Sequence, residues 1–165
     1  MTESKPSKSE RKRRQLALQS LGEQLIGLSD ELLAELTLDE RLLDAISAAQ
    51  RMKSHEAVRR QKQYIGKLMR DVDAAPIQAL LDRLRADDRR EKRIFANAER
   101  WRDQLARDPG AGLSAFEAET GSPQPGLADI LNDLKTAHSD RSERELRRQL
   151  FREIHQALVT TSSDG

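Results

Sequence analysis

From residue 77 to residue 107 the chain contains neither glycine nor proline, and the middle of that stretch, residues 85 to 93, is almost entirely charged. Pro76 marks its start, because proline fits the first turn of a helix and is poorly tolerated in an interior. The stretch therefore reads as one helix of about 30 residues, about 45 Å long at 1.5 Å per residue. No apolar stripe crosses its middle, so it reads as a solvent-exposed connector between two lobes.

A chain of 165 residues built around such a helix has room for two small cores and little room for a cofactor cavity. Leucine, alanine, glutamate, arginine and glutamine dominate, aromatic residues make up 3% of the sequence, and no run alternates apolar with polar residues. Those residue types favour helices and give strands no support, so the fold class is all-α.

Residues 1–6 are polar and are expected as a disordered tail. Ser7 and Glu10 have the spacing of a capping box, and Leu18, Leu21, Leu25 and Leu28 follow on one helical stripe. Ser29 heads a short acidic helix. Thr37 with Glu40 repeats the capping-box spacing for a helix through Leu42, Leu43, Ile46 and Ala49. Ser54 precedes a segment with Val58, Ile65, Leu68 and Val72 along one side. Residues 7–74 thus form a first lobe and residues 75–107 the connecting helix. Residues 108–126, rich in glycine and proline, read as a loop with one or two turns at 113–119. Residues 127–160 form a helical hairpin completing the second lobe, its last helix capped by Ser142 and Glu145 and bearing Leu146, Leu150, Ile154 and Leu158. Residues 161–165 are expected as a second disordered tail.

The net charge is only +1, but its distribution is uneven. Residues 29 to 44 carry six acidic side chains against Arg41 alone, whereas residues 51 to 70 carry seven basic ones against Glu56 alone. In the second stretch Arg59, Arg60, Gln63, Lys67 and Arg70 fall opposite the apolar stripe, within an arc of about 100°. Lys8, Arg11, Lys12, Arg13 and Arg14 add charge to the first helix. A charge run on a helix is ordinarily a solvated face whose ion pairs contribute about 0.3–0.5 kcal/mol each. With Glu56 the only internal counter-charge, these cations repel one another until an external polyanion relieves them, which points to nucleic acid.

Other chemistries find no support. There is no cysteine, and His55, His138 and His155 are too scattered for a two-histidine zinc motif. No glycine-rich loop follows a strand, so no catalytic residue, metal site, cofactor or small-molecule substrate is expected. No apolar run is long enough for a membrane span or a signal peptide, which makes the cytoplasm the expected location. Tyr64, although it lies among basic residues, reads as a core-rim residue, and Trp101, near Phe95 and Leu105, as an anchor of its lobe. Gly66 inside a helix costs about 1 kcal/mol against alanine, so it implies close approach of another helix or of a phosphate backbone.

The run Arg59-Arg60-Gln61-Lys62-Gln63-Tyr64-Ile65-Gly66-Lys67-Leu68-Met69-Arg70 resembles the dual-action ribosomal maturation protein family, the YjgA-like ribosome-associated proteins of proteobacteria. The resemblance continues in Ser7-Lys8-Ser9, Lys12-Arg13, Leu21-Gly22, residues 42–51, Pro76-Ile77, Arg100-Trp101-Arg102-Asp103 and the pattern from Glu145-Leu146 to Leu150-Phe151. It implies a dumbbell of two small helical bundles joined by a long central helix. It implies a non-enzymatic assembly factor bound to late precursors of the large (50S) ribosomal subunit, near the forming peptidyl-transferase centre. The expected partner is ribosomal RNA, held by Lys8, Lys12, Arg13, Arg59, Arg60, Lys67 and Arg70. The rival is a helical adaptor that binds another protein through its acidic or apolar helix faces.

Overall fold

Helical periodicity governs the whole described part of the chain. The computed structural model describes residues 7–163, so the tail expected at 1–6 and residues 164–165 of the tail expected at 161–165 lie outside it. Among the described residues there are eight α-helices and no strand: α1 (Lys8–Leu25), α2 (Asp30–Ala34), α3 (Glu40–Arg51), α4 (His55–Leu68), α5 (Ala74–Arg107), α6 (Pro109–Thr120), α7 (Pro125–Lys135) and α8 (Asp140–Ser163). A short 3-10 helix, Met69–Asp71, follows α4. None of these helices is long and apolar enough to cross a membrane.

Polar caps set the helix starts. Ser7 and Glu10 form the expected reciprocal capping box on α1, and Ser54 accepts a hydrogen bond from the Ala57 amide at the head of α4. Asp73 accepts from the Ala75 amide at the head of α5, which leaves Pro76 in the first turn, where its missing N–H costs nothing.

Four expectations are corrected. The cap of α3 is Asp39, whose Oδ1 accepts from the Arg41 amide at 2.8 Å, and not Thr37. Both residue types cap well, and the one adjacent to the apolar run wins. The cap of α8 lies three residues before the expected Ser142: Ser139 Oγ accepts from the Ser142 amide. Residues 108–126, expected as a loop, contain α6. Asp108 caps it through the Ala111 amide, Pro109 occupies its first turn, and Gly121 ends it with φ 70°. These breakers act as start and stop signals around a helix. The last helix also continues through Thr161, into the segment expected as a tail.

The chain divides into two compact units, Met1–Leu84 and Arg85–Gly165. In the first, Leu25, Leu42, Ile46, Ile65 and Met69 are fully buried, and α5 contributes Ile77 and Leu81. Burying each such side chain contributes about 1.5–3 kcal/mol. In the second, α5 contributes Ala98, Trp101 and Leu105 to a core with Phe116, Leu127, Leu150 and Ile154. Residues 85–93 of α5 are exposed apart from half-buried Arg90.

Candidate nucleic-acid interface

The cations of the first unit are positioned by the packing of α1 on α4. Gly22 lies so close to α4 that a Cβ there would sit 2.7 Å from Ile65 Cγ2 and 2.8 Å from Met69 Cγ. On the other helix, a Cβ at Gly66 would sit 3.0 Å from Gln19 Cβ and Cγ. The close approach implied by Gly66 is therefore made by a helix. It brings Gln15 Nε2 to donate to the Gly66 carbonyl at 3.1 Å, and Lys62 Nζ within 3.1 Å of a Glu23 carboxylate oxygen. Residues 15 and 23 of α1 thus face residues 66 and 62 of α4, so the two helices run antiparallel.

This direction decides where each expected cation lies. The basic start of α1 falls beyond the Arg70 end of α4, and Arg59 and Arg60 fall at the opposite end. Gln15 joins the two helices at the near end, its Oε1 accepting from Arg70 Nε at 2.7 Å. Arg70 then lines, with Glu10, Arg11, Arg14, Gln15 and Leu18, a surface groove of about 550 Å³. Along α4, Arg60, Tyr64 and Lys67 are spaced i, i+4, i+7 and share an arc of about 60°. From Arg60 to Arg70 the row extends about 15 Å.

Charge along this row is incompletely matched. Arg59 and Arg60 share a single oxygen of Glu56, at 3.2 and 3.1 Å, with all three side chains more than half exposed. Lys67 is exposed and has no carboxylate partner among the described residues, and Arg70 is held by a neutral amide. Lys8, Lys12 and Arg13 are exposed and also lack a carboxylate partner among the described residues. They do not all share one face. Lys8 and Lys12 lie within about 60° of Gln15 around α1, whereas Arg13 lies about 160° away, on the side opposite α4.

Tyr64 is 45% exposed and stands one turn before Leu68, which packs against the core, so it lies at the edge of the apolar face. It sits about 100° around α4 from buried Ile65 and about 40° from Leu68. Arg11 and Arg14 join Arg70 only because the helices are antiparallel, and sequence spacing carries no signal of that. On the acidic side of the unit, the Ser29 hydroxyl hydrogen-bonds the exposed Glu31 carboxyl and, with a smaller contribution from the Glu31 backbone amide, holds its pKa below the ordinary value. Glu35 pairs with Arg83 at 2.6 Å.

A family model described as dual-action ribosomal maturation protein DarP matches residues 4–161. Relatives carrying that name include one from Chromobacterium violaceum, 41% identical over 93% of this chain and 84% of its own length. Another, from Nitrosomonas eutropha, is 37% identical over 98% of this chain and 92% of its own length. A third, from Thiobacillus denitrificans, is 35% identical over 93% and 87%. With nearly its whole length matched, the chain belongs to the dual-action ribosomal maturation protein family.

Proposed function

We propose that this protein is a ribosome maturation factor that binds late precursors of the large ribosomal subunit through ribosomal RNA and promotes folding near the peptidyl-transferase centre. The relatives' name supports the process. The observation that carries the RNA reading is the row of Arg60, Lys67 and Arg70 on one side of the first unit, whose charge the fold leaves largely unmatched. Lys8, Lys12 and Arg59 extend it, and Arg13 serves RNA that wraps past α1.

Such a surface works by binding. Each phosphate neutralised releases condensed counterions, so affinity falls steeply with salt, and contacts to the backbone read the shape of the RNA. The close seat of α1 on α4 fixes the spacing of the cations before RNA arrives, which keeps the ordering cost low. A rigid cationic template of this kind holds an immature RNA segment near its final geometry without a chemical step. The protein works in the cytoplasm, where such precursors are assembled.

Replacing Arg60, Lys67 and Arg70 together with glutamate is expected to abolish co-sedimentation with large-subunit precursors while the helical circular-dichroism spectrum is retained. Co-sedimentation at the wild-type level by the folded variant would overturn the reading. Association that survives both high salt and ribonuclease would favour the adaptor role instead.

A further inference from the structure

The second unit carries an aromatic and cationic surface that the first-unit site does not use. Phe95 on α5 is 50% exposed. Its ring meets Phe151 of α8 edge-on, with centroids 5.2 Å apart, and Phe151 in turn stacks at 6.0 Å on His155. Phe95 and Phe151 line a groove of about 630 Å³ together with Arg102, Arg147, Arg148 and Arg152 and the carboxylates of Asp103 and Glu99, the latter 4.0 Å from Arg102.

The arginines around this groove are of two kinds. Arg102 is held by Asp103 at 2.8 Å and lies 6.0 Å from the centre of the Phe151 ring, so it covers that ring. Arg147 is likewise taken by Glu143 at 2.8 Å. Arg148 and Arg152 are exposed and have no carboxylate partner among the described residues. With Arg144 and Arg141 they form a row along α8 within an arc of about 80°, extending about 16 Å. An exposed ring beside unmatched guanidinium groups suits a ligand that has both a flat π-face and regularly spaced negative charge.

We propose that this groove is a second RNA site, which takes unpaired nucleotides: a base stacks on Phe95 while Arg148 and Arg152 hold the flanking phosphates. A paired helix buries its base faces, so only unstacked nucleotides use the ring. A purely acidic peptide would satisfy the arginines and leave the Phe95 face in water. The proposal takes from the ribosomal reading only the kind of ligand, and its residues are separate from those of the first unit.

The test uses the full chain with a labelled oligoadenylate of about ten nucleotides and a blunt RNA duplex. Phe95→Ala is expected to weaken oligoadenylate binding about fivefold or more, in line with loss of one stacked base, with duplex binding unchanged. Phe95→Leu, which keeps an apolar side chain, should weaken it as well. The double substitution Arg148→Gln and Arg152→Gln should lower the salt slope for the single strand by about 1.4. No oligoadenylate binding by the wild-type chain, wild-type binding by both Phe95 variants, or equal loss of single strand and duplex would overturn the proposal. So would displacement of the oligomer by polyglutamate as efficiently as by unlabelled oligoadenylate. The variant with glutamate at positions 60, 67 and 70 should keep Phe95-dependent binding, so failure here and failure of the first-unit site are read separately.

Discussion

The two units fill their cores in different ways. In the first, α1 and α4 approach across Gly22 and Gly66, and the buried side chains are leucine, isoleucine, alanine and methionine. In the second, an aromatic pair joins the aliphatic side chains: Trp101 meets Phe116 edge-on at 5.2 Å, and its Nε1 donates to Glu119 at 3.1 Å. The surfaces differ in the same sense. The first unit presents cations on closely packed helices around one exposed tyrosine, and the second presents arginines beside exposed and half-buried phenylalanine rings. Close backbone packing gives a surface with fixed charge spacing, suited to a phosphate backbone. A phenylalanine ring left half exposed against a second ring gives a platform, suited to a flat ligand.

Removing the aromatic volume tests this contrast most severely. Trp101→Ala should cost about 3–5 kcal/mol in denaturant unfolding, with hydrogen exchange accelerated in the second unit. A cost below about 1 kcal/mol would show that the aromatic pair does not organise that core. The corresponding change in the first unit is Gly22→Val, expected to cost about 1–3 kcal/mol by overpacking against Ile65 and Met69. Equal stability of that variant in a urea titration would mean that α1 and α4 have slack to separate.

Charge pairing gives a finer comparison. Lys67, with no carboxylate partner among the described residues, should lower the salt dependence of duplex binding by about 0.9 on mutation to glutamine. Lys92, already paired with Asp88 at 2.8 Å, should leave it unchanged under the same substitution. The smallest effect concerns Glu31. Its lowered pKa means that the Ser29 hydrogen bond stabilises the folded state at pH values above the ordinary carboxylate range and that this contribution disappears as the pH falls through the lowered value. Ser29→Ala should therefore raise the Glu31 titration midpoint seen by NMR, with a slight loss of stability at neutral pH and none in acid.

Much of the fold was legible because helical periodicity is a local property. The leucine spacing of α1, the break at Ser54 before α4 and the uninterrupted run of α5 each need only neighbouring residues to be read. The departures are local too, and most concern caps. Spacing favours Thr37 over Asp39 and Ser142 over Ser139, and it reads the Asp108-Pro109 start and Gly121 stop of α6 as parts of one loop over 108–126. Two competent capping residues a few positions apart cannot be ranked by type alone, because the amide each one reaches depends on how the chain turns.

By itself the sequence determined an all-α chain with a cationic stretch at 51–70 and a long charged helix after Pro76, because helix propensity, proline placement and charge counts are properties of single residues and their near neighbours. Only the tertiary structure decided which cations share a surface. The antiparallel seat of α1 on α4 turned Arg11 and Arg14 toward Arg70 and Arg13 away, and in the second unit α5 and α8 brought Phe95 beside Phe151 from far away in sequence. Side-chain direction about a helix axis acquires meaning only when a second helix fixes which side faces inward.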